Sequence, residues 1–117
     1  MSILHDAYTA LLAGITTKTG NEIHWEDKYG NPITVELVDL ETEAYTVRYY
    51  YKNGQKCWEI NYQNDQLHGK HIGWYKSGQK RSEIDYHQGQ PHGKYIWWYE
   101  NGQKQWEYEY QNGKRIK

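Results

Sequence analysis

The sequence lacks phenylalanine altogether and contains one methionine, one cysteine and two prolines among its 117 residues. The lone Cys57 has no partner for an internal disulfide, so stability has to come from packing. No apolar run approaches the roughly 18 residues that a membrane span needs. The N-terminus has neither the charged segment nor the small-residue cleavage site of a signal peptide. These absences predict a cytoplasmic protein with no transmembrane segment.

Net charge is nearly absent as well, because 14 Lys and Arg face 15 Asp and Glu. This balance argues against a nucleic-acid footprint spread over the whole surface. Residues 44–117 are mildly basic, with 12 Lys or Arg against 7 acids. Residues 22–43 contain only Lys28 against an acidic patch of seven residues, namely Glu22, Glu26, Asp27, Glu36, Asp39, Glu41 and Glu43. The chain therefore has an acidic start and a basic remainder.

Aromatic residues take the place of the missing aliphatic ones, with 13 Tyr and 6 Trp. Each ring can bury roughly 150–250 Å². At about 25 cal/mol per Å², burial of one ring contributes roughly 4–6 kcal/mol before entropy is subtracted. About a dozen such rings can hold a thin sheet together. One domain over residues 1–117 is therefore expected.

Two sequence elements recur with a period of 24 residues. Residues 51–56, Tyr-Lys-Asn-Gly-Gln-Lys, return with small changes at 75–80 and 99–104. His-Gly-Lys at 68–70 returns at 92–94. A fixed period of this length indicates one supersecondary unit stacked on copies of itself. Such units often bind partners through an extended surface.

The first residues differ from the repeats. Residues 3–15 carry apolar side chains at helical spacing, and an N-terminal helix is predicted within 3–17. This helix is expected to lie on the apolar side chains of the early strands and to guard that end of the sheet.

Everything after Gly20 has the pattern of short strands and turns. Asn-Gly pairs predict tight type I′ hairpin turns with positive φ at the glycine, centred on Gly30, Gly54, Gly78 and Gly102. The link at 63–69 is expected to be a second, looser turn. The prediction is a mainly β protein, an antiparallel repeat meander over 22–117 with about eight strands, near 22–26, 33–39, 44–51, 56–62, 70–75, 80–86, 94–99 and 104–110.

The pattern Tyr-x-x-Gly-Gln-x-x-x-Glu-Ile-x-Tyr-x-x-Gly-x-x-His-Gly-Lys-x-Ile-x-Trp-Tyr, from Tyr75 to Tyr99, resembles the MORN repeat (membrane occupation and recognition nexus). It is most similar to the variant form in bacterial proteins of the YwqK antitoxin type. The resemblance covers about residues 44–117, or 22–117 with a worn first copy. It implies an elongated antiparallel sheet with a groove. Such sheets serve as scaffolds, dimerisation modules, and lipid or protein binders.

Two functional hypotheses, a catalytic glutamate row and a histidine metal site, fit the sequence less well than a structural role for the same residues. Glu59, Glu83 and Glu107 form a row that could be catalytic, but strands two apart lie roughly 9.6 Å from each other. We expect these glutamates to pair with Lys or Arg across strands. The same spacing separates His68 from His92, which is too far for one metal ion without His71 or His87. No enzyme activity, metal or cofactor is expected.

We expect a non-enzymatic module of bacterial or phage origin that binds another protein, as an antitoxin, immunity protein or inhibitor does. The acidic patch would suit the basic cleft of a toxin or nuclease. The alternative is a scaffold for nucleic acid or anionic lipid that uses the rings and Lys-rich turns. A homodimer through the C-terminal edge strand is also expected. The partner-binding residues are predicted to share one face: Tyr75, Tyr95, Trp97, Tyr99, Glu59, Glu83 and Glu107.

Overall fold

The computed structural model describes residues 3–12, 14 and 17–117 and contains one short helix and one open antiparallel sheet. The strands follow one another in chain order from the first to the last, which makes the sheet a meander. The elements are α1 Ile3–Leu12, β1 Thr17–Thr19, β2 Glu22–Glu26, β3 Pro32–Asp39, β4 Ala44–Tyr50, β5 Lys56–Gln63, β6 Gln66–Trp74, β7 Lys80–His87, β8 Gln90–Trp98, β9 Lys104–Gln111 and β10 Lys114–Arg115. The prediction of a mainly β antiparallel meander is confirmed.

Strands β1 and β10 were not predicted. The predicted helical span of 3–17 is wrong, because α1 ends at Leu12 and Thr17–Thr19 pair with β2. Threonine is β-branched and favours an extended backbone over a helical one. Residues 13, 15 and 16 of the predicted helix lie outside the described residues. No helix in the described part of the chain is long and apolar enough to cross a membrane.

The core lies at the N-terminal end of the sheet. Its fully buried side chains include Ile23, Val35 and Val47, and Tyr45 is only 2% exposed. Tyr8 of α1 packs against this cluster. The Tyr45 ring stacks on Tyr62 with a centroid distance of 5.1 Å, which extends the core into β5.

The turns at one end of the strands each contain a glycine with positive φ. The angle is 88° at Gly54, 93° at Gly78 and 91° at Gly102, as predicted. The type I′ assignment is wrong, because Asn53 is not among the residues with positive φ. Instead the Gly54 N–H donates to the Tyr51 carbonyl at 3.0 Å, as in a type I turn followed by a left-handed glycine.

Two-residue turns lie at the other end of the strands, where a looser link was predicted. Both turn residues have positive φ in Asn64-Asp65, in Gln88-Gly89 and in Asn112-Gly113, as type I′ requires. Asn, Asp and Gly tolerate this conformation. Strands β6 and β8 then contain a bulge at Gly69 and Gly93, where φ is 97° and 109°. The His-Gly-Lys motif therefore shapes a bulge inside a strand.

The strand register divides the side chains between two faces. We call one the aromatic face; its members in β4–β9 are Tyr45, Val47, Tyr49, Trp58, Ile60, Tyr62, His71, Gly73, Ser82, Ile84, Tyr86, Tyr95, Trp97, Trp106, Tyr108 and Tyr110. We call the other the charged face; it carries Arg48, Glu59, Lys70, Ile72, Glu83, Asp85, Lys94, Ile96, Glu107 and Glu109. Ile72 belongs to the charged face because it lies opposite Glu59.

Candidate partner-binding face

One row of residues crosses the aromatic face from β4 to β9, with two large side chains, then two small ones, then two large ones. Across neighbouring strands, Tyr49 lies opposite Trp58, and Trp58 lies opposite Gly73. Ser82 lies opposite Gly73 and Trp97, and Trp97 lies opposite Trp106. Two small residues in the middle of a row of rings leave room for neighbouring rings to lean inward.

The Trp58 ring fills part of this space. A Cβ atom built on Gly73 would lie 2.7 Å from Cζ3 of Trp58 and 2.9 Å from Oγ of Ser82. The His71 ring meets Trp58 edge-on at a centroid distance of 5.2 Å. The guanidinium carbon of Arg81 lies 4.5 Å from the Trp58 ring centroid. Trp58 therefore packs between the His71 imidazole and the Arg81 guanidinium and covers Gly73.

Four buried polar atoms around this point have no hydrogen-bond partner among the described residues: His71 Nδ1, Arg81 Nε, Ser82 Oγ and Trp97 Nε1. Ser82 is completely buried. A buried polar group without a partner costs about 1–3 kcal/mol. Native structures contain few such groups, and each one calls for an explanation. Here they are concentrated in β6, β7 and β8.

The aromatic face continues across β8 and β9 as a second set of rings. Tyr95 lies 5.1 Å from Tyr110 and 6.3 Å from Tyr108, measured between centroids. The Arg115 guanidinium lies 3.7 Å from the Tyr108 centroid. Trp106, at the β9 end of the row that runs from Tyr49 across the aromatic face, is 41% exposed. We call this row the central row. The rings near β9 therefore present apolar area to solvent.

The charged face is extensively ion-paired. Lys56 lies 3.2 Å from Glu59, Lys80 lies 2.7 Å from Glu83, and Lys104 lies 2.7 Å from Glu107. The pKa of Glu83 is lowered, mainly because Lys80 donates a hydrogen bond to its carboxylate and Lys70 donates another. A general acid needs a raised carboxyl pKa. The glutamate row is therefore arranged as ion pairs. The predicted pairing across strands holds for Glu59 with Arg48 at 3.7 Å and for Glu83 with Lys70 at 3.2 Å, whereas the pair of Glu107 lies within its own strand.

The seven predicted partner-binding residues do not share one face. Tyr95 and Trp97 lie on the aromatic face, whereas Glu83 lies opposite Ile96 on the charged face, together with Glu59 and Glu107. The shared-face prediction is wrong because strand bulges shift the register between neighbouring strands.

Tyr75 and Tyr99 stand beyond the ends of β6 and β8. The Tyr75 hydroxyl donates to the Trp98 carbonyl at 2.8 Å, and Tyr51 makes the same bond to Trp74. Tyr75 thus joins adjacent hairpins. Tyr99, its counterpart in the next hairpin, is 49% exposed.

The acidic patch of the sequence is divided in the structure. Asp27 closes the turn after β2, where its Oδ1 accepts hydrogen bonds from the N–H groups of Tyr29 and Asn31. The side-chain hydrogen bond from Asn31 lowers the pKa of Asp27. Glu36 is paired with Arg48 at 2.8 Å. The other members of the acidic patch are Glu22 and Glu26, at the two ends of β2, and Asp39, Glu41 and Glu43, in or beside the turn after β3.

The histidines of the His-Gly-Lys motif support turns. His68 Nδ1 accepts a hydrogen bond from the Gln88 N–H, and His92 Nδ1 accepts one from the Asn112 N–H. The His87 ring lies 4.9 Å from His68 and 5.7 Å from His92. Each motif ring therefore packs on the neighbouring hairpin. No group of three or more His, Cys, Asp or Glu side chains is placed to hold a metal within the described ranges.

Sequence reasoning missed Arg81, Ser82 and His71. The signal was their departure from the repeat: Ser82 stands where Trp58 and Trp106 stand in the adjacent copies, and Arg81 stands where Gln105 does.

No protein-family model, curated protein or solved structure matches the chain.

Burial makes His71 a source of pH-dependent stability. Burial lowers its pKa, while an unfolded histidine titrates near about 6.5. The folded state therefore binds fewer protons just below that pH, so the contribution is complete above it and is lost as pH falls. In His71→Tyr, which copies Tyr95 of the next repeat, thermal melts between pH 7 and 5 should show a smaller decrease in Tm than wild type. An equal decrease in both proteins would contradict this assignment.

Proposed function

We propose that the protein is a non-enzymatic module that binds a partner protein on its aromatic face. The observation that carries the proposal is the guanidinium of Arg81, which lies over the Trp58 ring without a carboxylate partner among the described residues, on the face that also exposes Trp106. Tyr and Trp are enriched among the residues that dominate interface energies. A partner that supplies an acceptor would pair with this guanidinium.

The most concrete version is a MORN-type antitoxin, immunity or inhibitor protein of the bacterial or phage cytoplasm. The sequence resemblance supports this version. Asp39, Glu41 and Glu43 offer a local acidic surface apart from the aromatic face, and such a surface would mainly increase the rate of encounter with a basic toxin or nuclease.

Single-stranded nucleic acid is the second candidate, and one observation favours it. The glutamates that were predicted to lie among the rings lie on the charged face. Bases could therefore stack on the rings of the aromatic face without meeting carboxylates. Against it, Lys56, Lys80 and Lys104 are paired with glutamates. The same pairing weakens the case for anionic lipid. Steep weakening of binding with salt would identify a nucleic-acid ligand.

Self-association through the C-terminal edge is proposed for only part of that edge, residues 104–108 of β9. Lys114–Arg115 pair with β9, and the Ile116 N–H donates to the Glu109 carbonyl at 2.8 Å. These residues cover the end of β9 nearest Tyr110. The outer edge of 104–108 has no strand partner within the described residues, and a second copy could pair there. A single-chain mass by light scattering at high concentration would exclude this.

Photo-crosslinking in the source cells tests the protein-binding proposal. Benzoylphenylalanine replaces either Trp106 or Glu107, which are adjacent but lie on opposite faces. Irradiation should join one discrete protein to position 106 and little or nothing to position 107. Protein adducts that form equally at both positions, or only at 107, would contradict the proposal.

A further inference from the structure

We propose that Arg81 binds a carboxylate of the partner, so that the partner presents an acidic segment to the aromatic face. This inference rests on the proposed function and specifies the chemistry of the partner. The site consists of the Arg81 guanidinium and the rings of Trp58 and Tyr75 over which it lies.

Arg81 differs from Arg48 in its surroundings. Arg48 lies 2.8 Å from Glu36 and 3.7 Å from Glu59, so its charge is balanced within the chain. Arg81 has no carboxylate within 4.0 Å among the described residues and instead lies over the rings of Trp58 and Tyr75. A guanidinium stacked on rings keeps its planar donor fork, which fits a carboxylate through two parallel hydrogen bonds.

The sheet sorts its acids onto the face away from Arg81. The acidic residues of β5–β9 are Glu59, Glu83, Asp85, Glu107 and Glu109, and the register places all five on the charged face. The aromatic face of these strands carries no carboxylate. Arg81 and Arg115 both lie over rings of this face. Charge complementarity therefore favours an acidic ligand.

The Arg81 fork matches the acceptor capacity of a carboxylate. An ionised carboxyl has two oxygens with about four lone-pair positions and no hydrogen to donate. Arg81 Nε, Ser82 Oγ, Trp97 Nε1 and His71 Nδ1 are buried in the free chain. The contact with the carboxylate is therefore assigned to the two terminal nitrogens of the Arg81 guanidinium, which are not in that buried set.

This combination occurs once in the chain. At the positions equivalent to Arg81 the neighbouring copies have Cys57 and Gln105, and at the positions equivalent to Ser82 they have Trp58 and Trp106. The repeat therefore supplies a tyrosine at 51, 75 and 99, and the arginine only in its middle copy. A role in stacking copies would not require the arginine to be unique.

An acidic protein segment fits better than a nucleic acid. Contacts from several Lys and Arg side chains to phosphates supply most of the affinity of non-specific nucleic-acid binders. Two arginines on the aromatic face are too few for such a footprint, but one arginine fork is enough to anchor one carboxylate.

The test uses the ¹⁵N-labelled full chain and a hexaglutamate peptide, with the indole N–H signals followed by NMR at low salt. The Trp58 signal should shift on titration, because Arg81 lies over its ring. Arg81→Gln, which copies Gln105, should weaken binding about tenfold or more, the amount expected for a charge-assisted bond. Arg81→Lys should show an intermediate loss because the charge remains and the fork is lost.

Lys94→Gln is the matched control. It removes the same charge from the charged face, where Lys94 has no side-chain ion pair among the described residues, and affinity should change less than twofold. Equal losses in Arg81→Gln and Lys94→Gln, or no binding of hexaglutamate, would overturn the carboxylate site. Binding of a twelve-residue oligothymidylate that exceeds peptide binding, with the same dependence on Arg81, would overturn the acidic-protein assignment in favour of phosphate.

The two proposals can fail separately. Cross-links from position 106 without any peptide binding would overturn the carboxylate inference and leave the partner-binding face intact. Arg81-dependent peptide binding without protein cross-links would overturn the protein partner and retain the carboxylate site.

Discussion

Gly73→Val is expected to lower the free energy of unfolding by about 3 kcal/mol, the upper range for overpacking a filled site. The first added carbon would lie 2.7 Å from the Trp58 ring and 2.9 Å from the Ser82 hydroxyl. Both neighbours lie within the packed sheet, so the ring has to leave its position over β6. Urea denaturation followed by tryptophan fluorescence measures the loss.

Gly54→Ala separates this steric effect from backbone strain. Gly54 has φ +88° and no heavy atom within 4 Å of an added Cβ, so its cost of about 1 kcal/mol comes from conformation alone. Gly73 has no such backbone constraint. A Gly73→Val protein as stable as wild type would show that the Trp58 ring does not lie over Gly73.

The sequence predicted the strand positions well because the repeat fixed them. It assigned the turn type wrongly because Asn-Gly is compatible with two turns. In the structure the Asn53 Oδ1 accepts a hydrogen bond from the Gln55 N–H, and only the glycine enters the left-handed region. Periodicity locates such a turn, but it does not choose between type I′ and type I with a left-handed glycine.

The candidate site was only partly predictable. Tyr95 and Trp97 were expected on a binding face, and they do lie on the aromatic face. Alternation within one strand gives the two faces of that strand, but it does not relate them to the next strand when a bulge intervenes. The register shift between Gly73 and Trp74 is an example. Arg81 and Ser82 were missed because repeat columns emphasise what copies share.

The second large effect concerns affinity. Trp106→Ala should weaken binding of the protein captured by photo-crosslinking about thirtyfold or more, which corresponds to the roughly 2 kcal/mol of an interface anchor. Trp106 is already 41% exposed at the outer end of the central row, so its truncation should leave the fold intact. Glu107→Gln is the matched control on the neighbouring residue and the opposite face.

The most direct test of the account is therefore one pair of dissociation constants, measured by calorimetry with the captured partner for Trp106→Ala and Glu107→Gln. A two-faced sheet that binds through its aromatic face predicts a large loss in Trp106→Ala and a change of less than twofold in Glu107→Gln. Equal losses in the two variants, or a larger loss in Glu107→Gln, would contradict it.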